Sequence, residues 1–116
     1  MRLAFLATVL AFLSACSRSS GSQDTPATRG KHFAAWYGCG SCHEIPGLPS
    51  ATGKVGPPLR GIGQRSYLAG HLPNTPENLI RWIRTPRDVH EHTIMPNMDI
   101  PAREARDIAA YLYTLH

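Results

Sequence analysis

Cys39-Gly40-Ser41-Cys42-His43 is the stretch on which the reading of this chain turns. Residues three apart lie on one side of a helical turn, so both sulfurs can reach the two vinyl groups of a single porphyrin. The histidine that follows can bring its imidazole under the iron as an axial ligand. C-x-x-C-H is accordingly the attachment signature of c-type haem, held covalently through Cys39 and Cys42 with His43 as proximal ligand. Three other readings of the pair fit less well. A thioredoxin-like dithiol needs a strand–helix–strand context that the pattern here lacks. A structural zinc site needs four ligands, and there is no second cysteine pair. A plain disulfide gives the adjacent histidine no role.

The sixth iron position is the next question. Met95, Met98, His71, His90, His92 and His116 are the side chains able to fill it. Met95 stands in Thr93-Ile94-Met95-Pro96, at the end of a loop that follows a predicted helix and Pro86. Proline restricts the residue before it to extended conformations, which pre-sets the backbone carrying the Met95 thioether. Met98 lacks that constraint. His92 could bind only as neutral imidazole, in competition with protonation near its ordinary pKa of roughly 6.5. Met95 is the expected ligand, with His92 and Met98 as rivals.

The flanking segments read as helices. Residues 29–36 place Gly30, Phe33 and Ala34 on one side. Thr75 serves as an N-cap with Pro76 as first helical residue and Glu77 near the positive dipole end. That helix runs to about Arg84 and stops before Pro86. Residues 102–113 carry Ala105, Ile108 and Leu112 at helical spacing, with Pro101 suited to the first turn. No convincing strand is present. With ten glycines and ten prolines, the prediction is an all-α fold of three to four helices joined by long Gly/Pro loops. Little core forms in such a chain without its haem, so the apo form is expected to be weakly folded.

In its order of features the chain from residue 29 onward resembles the class I, mono-haem cytochrome c family. The features are an N-terminal helix, C-x-x-C-H, Gly56-Pro57-Pro58-Leu59, Met95-Pro96 and a C-terminal helix. Tyr67-Leu68-Ala69-Gly70-His71-Leu72-Pro73-Asn74-Thr75-Pro76-Glu77-Asn78-Leu79, followed by Arg81-Trp82-Ile83, is similar to the cytochrome c domain fused to subunit II of some haem-copper oxidases. The resemblance implies the small cytochrome c fold around one covalent haem c, and an electron-transfer protein rather than an enzyme. It implies that Pro57 supplies the carbonyl accepting the His43 Nδ1–H bond, which fixes the imidazole tautomer. Pro57-Pro58 is also simply a rigid turn, and both can hold. Arg65 matches an arginine facing a haem propionate, and reads equally as a solvated surface residue. Trp82 matches the aromatic beside the methionine ligand, and reads equally as core.

A His43/Met95 pair saturates the iron, and the thioether raises its potential. The implied partners are a quinol–cytochrome c reductase on one side and a haem-copper oxidase, or another periplasmic oxidoreductase, on the other. The carrier is expected to be a monomer. Lys54, Arg60, Arg81, Arg84 and Arg87 form a basic rim for docking an acidic partner, or an ordinary solvated surface. Were Met95 absent from the iron, a five-coordinate haem protein with a ligand-sensing or peroxidatic role would be the alternative. A passive subunit holding haem within a larger assembly is a third reading. The net charge of +4 is mild and dispersed, with no basic arm or base-stacking pattern, which excludes a nucleic-acid binder.

The chain starts MRLAFLATVLAFLSACS. Arg2 precedes an apolar run over residues 3–13, too short for the roughly 20 residues that span a bilayer but suited to a secretory signal. Leu13-Ser14-Ala15-Cys16 resembles a bacterial lipobox. Residues 1–15 are then a lipoprotein signal peptide, with Cys16 the lipidated first residue of the mature chain. A plain signal peptide with an incidental cysteine is the other reading. Residues 16–28 are Ser-rich and apolar-poor, a flexible tether to a cytochrome c domain over residues 29–116. The expected location is exported, on the periplasmic side, lipid-anchored to a bacterial membrane. Intact mass analysis of the exported protein should find a diacylglyceryl group on an N-terminal Cys16; an unmodified mature terminus at another residue would contradict the lipobox.

Overall fold

Thr25 and Pro26 set the start of the first helix. The Thr25 hydroxyl accepts the Thr28 N–H at 3.1 Å, and Pro26 occupies the first turn, where its missing N–H costs nothing. Helix α1 therefore spans Pro26–Trp36 in the computed structural model, which describes residues 24–116. It begins three residues ahead of the predicted residue 29, because the cap and the proline outweigh the polar composition before them. Residues 1–15, read as a signal peptide, Cys16 and the expected tether up to residue 23 lie outside the described residues. Tyr37 closes α1, and Gly38 at φ 70 turns the chain out in the left-handed region.

Helix α2, Pro76–Arg84, has the predicted cap: the Thr75 hydroxyl accepts the Asn78 N–H at 3.3 Å. Thr85 breaks it, but Pro86 does more than stop a helix. Buried, it opens a short helix α3, Pro86–Val89, for which four residues offered no readable period. Helix α4, Ala102–Leu112, follows Pro101, which stands at its N-cap. The expectation of no strand is corrected by one small hairpin. β1, Tyr67–Leu68, pairs antiparallel with β2, Leu72–Pro73, through Leu68 opposite Leu72. Strands of two residues are too short for alternation to register in sequence.

The core lies where α1 and α2 pack on α4. Ala105, Ile108, Ala109 and Leu112 of α4 are buried with Leu79 and Ile83 of α2, Ala34 of α1 and Ile100. The α1–α4 crossing is close because position 30 carries no side chain. A Cβ there would overlap the Asp107 carbonyl and sit 2.9 Å from the Ile108 nitrogen. Beside it, Arg29 grips Asp107 with both arms, Nε to Oδ2 at 2.7 Å and Nη2 to Oδ1 at 2.9 Å. Asp107 is only 5% exposed. A carboxylate on the buried face is tolerable because the guanidinium fork satisfies both oxygens. Hydrogen bonding to Asp107 holds the Arg29 guanidinium above its ordinary pKa. Among the described residues, no helix is long and apolar enough to cross a membrane.

Overpacking at a helix crossing typically costs about 1–3 kcal/mol. Gly30→Ala should lower the stability of the holoprotein by about that amount in denaturant unfolding. An unchanged midpoint would mean that the crossing is looser than the geometry indicates.

Candidate haem site

Gly38 hands α1 directly to the C-x-x-C-H motif. Cys39–Ser41 forms a 3₁₀ turn, in which residues three apart eclipse, so the two cysteines fall on one side. The Cys42 and His43 N–H groups both donate to the Cys39 carbonyl, at 3.3 and 3.0 Å. The following loop then ties back to the motif: Gly53 N–H donates to Gly40 O at 3.0 Å and Gly56 N–H to Cys42 O at 2.8 Å. Cys39 and Cys42 are both free thiols. Burial pushes the Cys39 thiol above its ordinary range.

His43 is held from two sides. Its Nδ1 lies 2.7 Å from the Pro57 carbonyl oxygen. A carbonyl can only accept, so Nδ1 carries the proton and donates, leaving the Nε2 lone pair free for a ligand. The ring also lies against Gly56, where a Cβ would come within 2.8 Å of Nδ1 and 3.0 Å of Nε2.

A crevice opens in front of this imidazole. Its larger compartment, about 530 Å³, is lined by Cys42, Arg65, Leu68 and Ile94 among others. A smaller one of about 60 Å³ reaches inward past Cys39, Ile45, Leu79 and Ile108. His43, Leu59, Ile62, Trp82 and Met95 line both. The larger compartment falls within the roughly 300–1,000 Å³ of cofactor pockets. Imidazoles of His43 and His90, thioethers of Met95 and Met98, two thiols and otherwise mostly apolar walls include the donor set that a covalent haem requires. The residues fit the group.

The rival ligands separate by position. Met98 lines only the inner compartment and packs against the core. The His92 side chain is 81% exposed, 3.2 Å from Glu91, and does not line the crevice. His90 lines the outer compartment, and its ring stacks edge-on to His71 and His92. His71 and His116 line neither compartment; the Ala69 carbonyl lies 3.0 Å from His71 Nδ1 and the Gln64 amide 3.1 Å from His116 Nδ1. Trp82 is half-buried and outside the buried core, and it walls both compartments together with Met95.

Arg65 lines the crevice, and its Nη2 donates to the carbonyls of Pro58 (2.6 Å) and Arg60 (3.0 Å). It thereby clamps the loop whose Pro57 carbonyl holds His43. Of the five residues read as a basic rim, none lines the crevice. Arg84 Nε donates to the Ile100 carbonyl at 2.9 Å, and Arg81 reaches the Asp88 carbonyl at 3.4 Å.

Asn74 is the residue that sequence reasoning missed. Its Nδ2 donates to the carbonyls of Ile62 and Arg65, each at 2.8 Å, and its Oδ1 accepts the Tyr113 hydroxyl at 2.9 Å. One amide thus fastens the crevice wall to the end of α4. Only its place just ahead of the α2 cap hinted at a structural role, since such side-chain bonds join segments distant in sequence.

The family model for cytochrome c matches residues 27–116. Cytochrome c oxidase subunit 2 of Alkalihalophilus pseudofirmus is 32% identical over 93 residues. That alignment covers 79% of this chain and 26% of the relative, so the chain spans about a quarter of the length of that protein.

Gly56→Ala should displace the imidazole and break its bond to Pro57. The holoprotein of that variant is expected to show a mixture of high- and low-spin haem in its absorption spectrum. An unaltered low-spin spectrum would show that the Gly56 contact does not position His43.

Proposed function

The chain belongs to the cytochrome c family, and from that membership we propose that it carries single electrons between membrane-associated respiratory partners through one haem c ligated by His43 and Met95. The observation that supports this most is that His43 and Met95 line both compartments of one crevice, with Cys39 and Cys42 each at one of them. When bound, a haem supplies a one-electron iron couple whose potential methionine ligation raises.

The residues of the chain do the rest. His43 offers Nε2 because Pro57 holds the proton on Nδ1. Met95 offers a thioether from a backbone braced by Pro96 and by the Thr93 hydroxyl, which accepts the Met95 N–H at 3.3 Å. Two axial ligands leave no position for a substrate, so the site favours electron carriage over turnover. Leu59, Ile62, Leu68 and Trp82 keep water from the iron side of the crevice, which lessens solvent rearrangement as the charge changes.

Val55, Tyr67 and Ile94 stand exposed at the crevice mouth, Ile94 at 72%. Apolar side chains grouped at an opening suit a partner that docks briefly and leaves. Among the described residues Arg65 is the one lysine or arginine that lines the crevice, so charge steering at the mouth centres on it rather than on Lys54, Arg60, Arg81, Arg84 and Arg87. The likeness to a domain of an oxidase subunit favours a haem-copper oxidase as electron acceptor, with a quinol–cytochrome c reductase or another periplasmic oxidoreductase as donor. The mature chain works on the periplasmic side, anchored through a lipid on Cys16.

The oxidised protein should show a weak near-infrared sulfur-to-iron charge-transfer band. Met95→Ala should abolish it and lower the potential, while Met98→Ala and His92→Ala leave it in place. Loss of the low-spin spectrum in His92→Ala with its retention in Met95→Ala would instead indicate bis-imidazole ligation.

A further inference from the structure

Trp36 is 82% exposed and takes part in neither the core nor the crevice. It stands on α1 with Phe33 and Tyr37 at helical spacing, and the three aromatic rings line one shallow depression with His32, Ala35 and Glu104. The Tyr37 hydroxyl donates to the Glu104 carboxylate at 2.5 Å, which holds both side chains at the edge of the depression. Phe33 and Tyr37 are half-buried and pack against the core, which leaves Trp36 as the exposed ring of the three; a tryptophan this exposed beside two partly buried rings suits an interaction surface.

We infer that this aromatic face of α1 rests at the headgroup level of a lipid bilayer, orienting the tethered domain; the inference depends on the reading of Cys16 as a lipid anchor. Tryptophan and tyrosine favour that level because the ring is apolar and the N–H or O–H can stay wet. The chain enters the described structure at Asp24, immediately ahead of α1. From Cys16 to Asp24 an extended chain reaches at most about 3.6 Å per residue, roughly 29 Å in all. Trp36 lies only about 15 Å along the helix axis from Pro26, at 1.5 Å per residue. An anchor at Cys16 therefore holds the membrane within reach of this face. No residue lines both this depression and the haem crevice, so a domain seated on α1 leaves the crevice mouth free for a redox partner.

The test uses full-length holoprotein, purified after export and placed in oriented bilayers of phosphatidylethanolamine and phosphatidylglycerol. Linear dichroism of the Soret band reads the tilt of the haem plane, and intact mass reads the lipid on Cys16. The wild-type protein should be dichroic. Trp36→Gln, which changes an exposed side chain outside the site, should be isotropic with an unaltered absorption spectrum and an unaltered lipid mass. An isotropic wild-type protein with lipidated Cys16 overturns the seating and leaves the anchor intact. Absence of the lipid overturns both. Dichroism retained in Trp36→Gln overturns the assignment to this face. A detergent-solubilised dimer that Trp36→Gln dissociates, with no dichroism in the wild type, shows that a second copy covers the patch and overturns the membrane seating.

Discussion

The imidazole of His43 is fixed by a hydrogen bond on one side and by the absence of a side chain on the other. Nδ1–H reaches the Pro57 carbonyl at 2.7 Å, and Gly56 lets the backbone run against the ring. An iron ligand whose other nitrogen is so engaged has one tautomer, one orientation and added basicity. Much else in the fold serves to keep the segment 56–60 where that contact requires it. The Gly56 and Leu59 N–H groups bond back to Cys42 and Glu44. Arg65 grips the Pro58 and Arg60 carbonyls, and Asn74 holds Arg65 and Ile62 to Tyr113 near the carboxyl end of the chain.

The terminal helices provide the frame for that arrangement. Gly30 allows α1 to meet the backbone of α4, and the Arg29–Asp107 pair fixes the register of the crossing. Because α1 runs through Gly38 into Cys39, the position of the attachment motif is inherited from this crossing. The opposite wall comes from α2, through Leu79, Trp82 and Ile83, and from the Met95 loop. The four helices and one thin hairpin of the described residues leave much of their apolar lining facing the crevice, where a porphyrin would complete the core.

Much of this was legible in the sequence because local signals and the final structure agree. C-x-x-C-H, the Thr75-Pro76 cap and the period of α4 are each encoded within a few residues, and α2 and α4 form where those signals place them. The hairpin and α3 escaped because strands of two residues and a helix of four carry no period. The start of α1 escaped because Thr25-Pro26 was read as tether composition rather than as a cap. The uses of Arg65, Arg84, Asn74 and Asp107 were hidden for a different reason. Arg65 and Arg84 bond backbone carbonyls, Asn74 joins two carbonyls to the Tyr113 hydroxyl and Asp107 takes the Arg29 guanidinium, and residue type alone reveals none of these partners.

The central claim is that His43 and Met95 together close the iron to outside ligands. The absorption spectrum of the reduced holoprotein, recorded before and after addition of carbon monoxide, tests it most directly. Low-spin bands that carbon monoxide leaves unchanged are the predicted result. Rapid conversion to a carbon monoxide adduct in the wild-type protein would show an open iron position and contradict the account.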